Sequence, residues 1–449
     1  MSLRKRLSMS SSRSVSPLVF ATAPTTDSEE WLKTWQQVHA RDLVDSPVVA
    51  VDADTTVEEA CDLLLTKNLP CVAVKSKPDD SSSGPWHGLF DFSDVNAFLT
   101  LAATRHKLAT EELREKPRLQ EILGAARAGR VSVHLVSNLS EKNPLETLPY
   151  DATLISLLGV FARGAHRVLI QAESPSTEYL GMVSDRRLLS WFTSFAQQNA
   201  AFLRYLANPL GSLELPSMYL YLSVVAAKAT ECVLDAMRLM SDEGVGSIAV
   251  IEEETGNLLS AVSVSDIGKI VVPAQSNQIL STPLHQFVAL IKEPDGSTDG
   301  ADKYPVYSVS PTSSLYYTMQ KLLATDSHRV FVTDDAGLSS PSFPPASTGN
   351  LSGIISTVDV LSLFARIANL PDVDPTRMQR HRRASSASGS SQSSRSSDKS
   401  SFARSRSSSR TSLGRLSVSG DVPGAVKGLR SSVGSFDSFQ RSERAPERK

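Results

Sequence analysis

Cysteine is scarce. Three residues in 449, Cys61, Cys71 and Cys232, are too few and too scattered for a disulfide framework or a zinc cage. Their spacing fits a reducing compartment. Long apolar runs are lacking too. None approaches the roughly 20 residues that span a bilayer, so no membrane segment is expected. Catalytic signatures are also missing. There is no Gly-x-Ser-x-Gly elbow, no His-Glu-x-x-His and no Cys-x-x-Cys, and no metal site is expected. A Gly-x-Gly spacing at Gly244 and Gly246 follows a helical pattern and opens a strand, the reverse of a dinucleotide-binding turn.

Positive charge is withheld from the middle of the chain. Residues 1–26 carry four basic residues and no acid, and residues 371–449 carry 16 basic and 7 acidic residues. The net charge is −2, so the middle stands at −15. An acidic body is a poor nucleic-acid binder, which needs a contiguous basic face, and no nucleic-acid partner is expected. Aliphatic residues nearly vanish from residues 385–419, which Ser and Arg dominate. Such a stretch buries too little apolar area to offset its ordering entropy, so disordered tails are expected over residues 371–449 and 1–27. Short basic-Ser and Ser-Pro patterns make Ser8, Ser16, Ser385, Ser412 and Ser417 candidate phosphorylation sites for protein kinases. Residues 377–383 form a weak nuclear-localisation pattern.

What is present is a fourfold repeat. Residues 28–43 read as a lead helix with Trp31, Trp35 and Val38 on one face. Four copies of strand, helix, strand, strand, helix then follow. In the first, the strand at 47–51 leads to a helix over 57–65 capped by Asp54 or Thr55, strands at 71–74 and 87–90, and a helix opening at Ser93 and Asp94. The residues at one point of the third-strand-to-helix turn are Asp94, Arg187, Asp266 and Asp359, separated by 93, 79 and 93 positions. Equal outer gaps predict two tandem pairs. The expected units are residues 28–200, with copies 1 and 2, and 201–370, with copies 3 and 4, breaking near 199–210. Each pair is expected to pack its two short sheets through their helices. The fold class is α/β (α+β).

The turn itself reads Gly-x-x-Ser-x-x-Asp. It is whole in copy 4, as Gly353, Ser356 and Asp359. Copy 3 has Ser260, Ser263 and Asp266. Copy 1 has Gly88, Asp91 and Asp94. Copy 2 has Gly181 and Ser184 but Arg187 last. A helix N-terminus with a hydroxyl can hold a phosphate, and a carboxylate one turn on can accept a ribose diol. Helix capping explains the same residues. Copies 2 and 4 also share a His-Arg pair, His166–Arg167 and His328–Arg329, at the second strand's entrance. Arginine's fork suits phosphate, and there it could face the neighbouring copy.

These copies resemble CBS domains paired into Bateman modules, over residues 42–370. The basic N-terminus, Trp-containing lead helix, four copies and Ser/Arg-rich tail are together similar to the fungal Sds/Moc-type inhibitors of type 2A-like serine/threonine phosphatases. That resemblance implies a non-enzymatic regulator of nutrient response, cell cycle and cell separation, in cytoplasm and nucleus, with a phosphatase as partner. It also implies an adenine nucleotide (AMP, ADP or ATP) as a regulatory ligand. Ser263, Asp266, His328, Arg329, Ser356 and Asp359 would form the main site, and Asp94, His166, Arg167 and Ser184 a weaker one. The alternative is a scaffold with degenerate clefts and phospho-regulated tails. Oligomeric state is left open.

Overall fold

The computed structural model describes residues 26–77, 84–104, 116–173, 178–213, 215, 224–274, 277–292, 308–334, 350–371 and 373. The five serines proposed for phosphorylation, and residues 377–383, lie outside them. A lead helix, α1 (Thr26–Gln37), precedes copy 1, which comprises β1 (Ala50–Val51), α2 (Val57–Thr66), β2 (Cys71–Lys75), β3 (Trp86–Asp91) and α3 (Phe92–Thr104). After α4 (Pro117–Ala128) and α5 (Val133–Val136) comes copy 2, with β4 (Thr147–Leu148), α6 (Leu154–Phe161), β5 (Arg167–Gln171), β6 (Tyr179–Ser184) and α7 (Asp185–Gln198). Helix α8 (Ala200–Leu206) leads to copy 3, with β7 (Ala226–Lys228), α9 (Val233–Asp242), β8 (Ser247–Ile251), β9 (Leu258–Ser263) and α10 (Val264–Ile270). Helix α11 (Leu284–Lys292) precedes copy 4, with β10 (Ser308–Val309), α12 (Leu315–Ala324), β11 (Arg329–Asp334), β12 (Asn350–Ser356) and α13 (Thr357–Ile367).

Every copy builds the same three-stranded sheet. The first strand runs parallel to the second, and the third is antiparallel to it. The hairpin shifts register at one equivalent step in all four, after Val74, Ile170, Val250 and Val332. The repeat therefore extends to backbone irregularities. Capping differs from the expectation in copy 1. Thr56, not Asp54 or Thr55, opens α2, because its hydroxyl accepts from Glu59 N (3.2 Å) while Glu59 Oε2 accepts from Thr56 N (2.9 Å). A capping box needs its acid three residues past the cap, which Glu59 is for Thr56, while Thr55 N is taken up in a turn by Asp52 O (3.0 Å).

The sheets are buried on both faces, and side chains alternate between two different interiors. On β2, Cys71 and Ala73 meet Leu169 and Met182 of copy 2, while Val72 and Val74 face helices. Copies 3 and 4 repeat this, with Ala249 and Leu258 against Phe331 and Ile354. Sheets thus pack face to face within each tandem pair, which corrects the expectation that helices join them. The helices do something else. One core joins copies 1 and 3, through residues such as Phe90, Val95, Met237 and Ile267. The other joins copies 2 and 4, through Leu157, Phe192, Leu315 and Phe364. Each copy therefore meets one neighbour through its sheet and another through its helices, and the four close a ring.

The lead helix belongs to the copy 2–copy 4 core. Trp35 is fully buried, with its ring centroid 5.0 Å from Phe192, 5.9 Å from Phe202 and 6.3 Å from Phe364. Near residues 199–210 the chain does turn, at Asn199, whose side chain accepts from Phe202 N (2.9 Å) and starts α8. The residues that follow are no loose connection. Phe202, Leu206 and Leu210 are fully buried, and Leu210 N and Gly211 N donate to Ser313 O and Pro311 O of copy 4. Among the described residues no helix is long and apolar enough to cross a membrane.

Candidate functional site

The four strand-to-helix turns share one local chemistry. In copies 3 and 4 the Ser/Asp pairs are capping boxes. Asp266 Oδ2 accepts from Ser263 N (2.8 Å) and Ser263 Oγ (2.7 Å), and Asp359 Oδ2 accepts from Ser356 N (2.7 Å) and Ser356 Oγ (2.6 Å). Each serine hydroxyl in turn accepts from the amide of its aspartate at 3.2 Å. Both boxes use the same carboxylate oxygen. Asp359 is buried and Asp266 half-buried. Where the motif has glycine, copy 3 has Ser260, whose buried hydroxyl has no hydrogen-bond partner among the described residues.

In the first half, the chain lays its own segments over both turns. Asp91 takes the serine's part in copy 1, its Oδ1 accepting from Ser93 N (2.7 Å) and Asp94 N (3.2 Å). Asp94, fully buried, accepts from Asn138 N (3.1 Å) and Ser140 N (2.9 Å) on the connection between copies. Arg118 holds that connection in place by donating to Leu135 O (2.8 Å) and Ser137 O (2.6 Å). A Cβ on Gly88 would lie 2.9 Å from Ser137 Oγ, so the glycine makes room for the cover. Burial, with Asp91 adding to it, pushes the Asp94 carboxyl up to about 7 against the pull of those amide donors.

Copy 2 is covered from the other side. The segment around Asp45 crosses β6, with Met182 N donating to Ser46 O (2.8 Å) and Asp45 N to Met182 O (3.0 Å). A Cβ on Gly181 would come within 2.7 Å of Ser46 O. Ser184 caps α7 by accepting from Arg187 N (3.0 Å) and gives its own proton to Asp45 Oδ2. Arg187 is exposed.

The His-Arg pairs part company. Arg329 Nη1 donates to Ser247 O (3.4 Å) across the copy 3–copy 4 pair, the neighbour its position suggests. Ser247 stands opposite Ser263, and Arg329 opposite Ser356, in their hairpins. Arg329 is thus held between the two boxed turns. Arg167 stands opposite Ser184 in the copy 1–copy 2 pair. His328 leaves that arrangement and meets copy 2, where Asp185 Oδ2 lies 2.8 Å from His166 Nδ1 and 3.4 Å from His328 Nδ1. The imidazole centroids are 4.6 Å apart. Burial alone would raise the Asp185 carboxyl, but the imidazoles of His328 and His166 outweigh it and hold it below the ordinary carboxylate range. Sequence reasoning missed Asp185. The repeated His-Arg pair was the available signal, and the packing of copy 2 on copy 4 is what brings its histidines together.

Known proteins fall in with this architecture. A CBS domain family model matches residues 40–94. Protein sds23 of Aspergillus niger is 28% identical over 402 residues, covering 79% of this chain and 77% of its own. Protein SDS23 of Yarrowia lipolytica is 30% identical over 354 residues, covering 75% of this chain and 68% of its own. Among solved structures, a Methanocaldococcus jannaschii protein proposed as an archaeal homolog of γ-AMPK superposes with a TM-score of 0.50 at 15% identity, over 73% of this chain and all of that one. That last likeness is one of fold. With four CBS-type copies built on a lead helix, and with relatives of this identity and coverage, the chain belongs to the Sds23 family of CBS-domain proteins.

Proposed function

We propose that this protein inhibits a type 2A-like serine/threonine phosphatase and that an adenine nucleotide bound between copies 3 and 4 tunes the inhibition. Regulation by binding follows from family membership. The observation that supports the nucleotide is the placement of Arg329 between two boxed turns, Ser263/Asp266 and Ser356/Asp359. A guanidinium fork and two helix N-termini are the donors a phosphate takes. The turns of copies 1 and 2 are covered by the chain's own segments, which makes the first half the weaker candidate. The acidic middle, at −15, favours a basic patch on a phosphatase subunit.

In this reading the protein acts in nutrient response, cell cycle and cell separation, in cytoplasm and nucleus, and kinases act on its serine-rich ends. The test is a phosphopeptide assay with purified type 2A-like phosphatase. Micromolar protein slows the enzyme, more strongly at low salt, and AMP, ADP or ATP shifts the inhibition. Absence of inhibition with every such enzyme overturns the phosphatase reading. Inhibition untouched by all three nucleotides overturns only the tuning.

A further inference from the structure

Three side chains from two halves of the chain converge on one point between copies 2 and 4. His166 lies at the entrance of β5, Asp185 is the first residue of α7, and His328 lies just before β11. Their ligand atoms all lie within 4.8 Å of one another. The backbone fixes the two histidines in the same way. His166 O accepts from Asp185 N (3.1 Å), and His328 O accepts from Thr357 N (2.9 Å), so each is tied to the first turn of its own copy's second helix. The two copies differ at that position. Copy 4 has Thr357 where copy 2 has Asp185, and the one carboxylate faces both imidazoles.

We propose that His166, Asp185 and His328 form a binding site for a divalent first-row transition metal of the zinc class, which clamps copy 2 to copy 4. Two imidazoles and a carboxylate are a ligand set such ions take, with a further position left for water. The spacing suits it. Ligands at about 2.0–2.1 Å from a tetrahedral ion stand about 3.3 Å apart. His328 Nδ1 is already 3.4 Å from Asp185 Oδ2, longer than a good hydrogen bond, and a small rotation opens the 2.8 Å contact to His166. A second observation points the same way. Asp185 is 1% exposed, and its other oxygen, Oδ1, is buried with no hydrogen-bond partner among the described residues. A buried carboxylate oxygen left so is costly, and an ion bound there accounts for it. Arg186, the next residue, feels the Asp185 charge but makes its contacts elsewhere. It donates to Leu323 O (2.9 Å) and pairs with Asp326.

The site is tested on the full chain, stripped with a chelator and titrated with Co2+ as a spectroscopic stand-in for zinc. One equivalent raises the visible d–d absorption of a four- or five-coordinate ion, and Zn2+ displaces it. Zn2+ also raises the melting temperature by several degrees. His328→Gln, at a side chain 45% exposed, weakens Co2+ binding at least tenfold and abolishes the thermal shift. Asp185→Asn does the same. His285→Gln, whose ring meets Ala229 O elsewhere in the fold, leaves both unchanged. If Asp185→Asn does not fold, His328→Gln carries the test. Equal Co2+ spectra in wild type and His328→Gln, or no Co2+ absorption at millimolar metal, overturns the proposal and leaves the cluster as hydrogen bonding alone.

Discussion

Asp94 and Asp359 stand at equivalent points of copies 1 and 4, and each accepts from the amide three residues before it, Asp91 N (3.3 Å) and Ser356 N (2.7 Å). Asp94 is turned inward onto Asn138 N and Ser140 N, and burial raises its carboxyl to about 7. A pKa raised above the unfolded value of about 3.9 means that the folded state holds the proton more tightly. Its stabilisation is complete below about pH 4 and is lost as pH rises through about 7. The melting-temperature difference between wild type and Asp94→Asn should therefore move against the wild type from pH 5 to pH 8. A flat difference would mean that Asp94 titrates in the ordinary range. Asp359 caps α13 in a full box with Ser356. Asp359→Ala costs about 1 kcal/mol of stability through the lost cap. If the nucleotide binds as proposed, the same change also removes the thermal shift that saturating AMP, ADP or ATP gives the wild type. A shift equal in both proteins would leave Asp359 as a cap. The cysteines permit a simpler check. Burial pushes the Cys61 thiol to about 12 and the Cys71 thiol to about 11, while Cys232 is half-buried and also raised, by burial and the Asp235 carboxylate it donates to. A thiol reagent should modify Cys232 alone in the native protein, slowly, and all three only after unfolding.

Among elements, those with chemical punctuation were legible in the sequence and the rest were not. The lead helix announced itself through Trp31 and Trp35, and both are buried. The strand-to-helix turns announced themselves through recurring Ser and Asp. The first strand of copy 1 was read at 47–51 but spans only Ala50–Val51, and that of copy 2, Thr147–Leu148, is too short for any period to register. The covers over the turns, at residues 44–46 and 137–140, carry no pattern. They act mostly through backbone groups, with the Asp45 carboxylate added, and Gly88 and Gly181 mark where they press. Sheet-to-sheet packing was missed because Cys71 and Ala73 on one face of β2, and Val72 and Val74 on the other, are all apolar, so hydrophobicity cannot tell the two interiors apart. At this scale the lead helix carries a prediction. Trp35→Ala empties a space bounded by Phe192, Phe202 and Phe364 and should cost about 3–5 kcal/mol in denaturant unfolding. A loss under about 1 kcal/mol would mean that α1 is an appendage rather than part of the core.

For the whole molecule, the ring of contacts decides how the copies share stability. A chain of two independent tandem pairs would lose one pair without the other. Here each helical core takes one copy from each half, so neither half can bury its helices alone. Gly268 probes that dependence. It lies on α10 of copy 3 under the Phe92 ring of copy 1, and an added Cβ would stand 2.7 Å from Phe92 Cγ. Phe92 opens α3 and is itself buried, so the ring must be displaced from packed surroundings. Gly268→Ala should cost about 1–3 kcal/mol as overpacking. Its thermal signature separates the two arrangements. In a coupled ring, calorimetry of the wild type gives one transition, and Gly268→Ala lowers the whole of it by a few degrees. Were the halves independent, the substitution would split the endotherm and leave one component at the wild-type temperature. Copies 2 and 4 contain neither Gly268 nor Phe92, so a lowered temperature for their unfolding has to pass through the sheet contacts of copies 1 with 2 and 3 with 4.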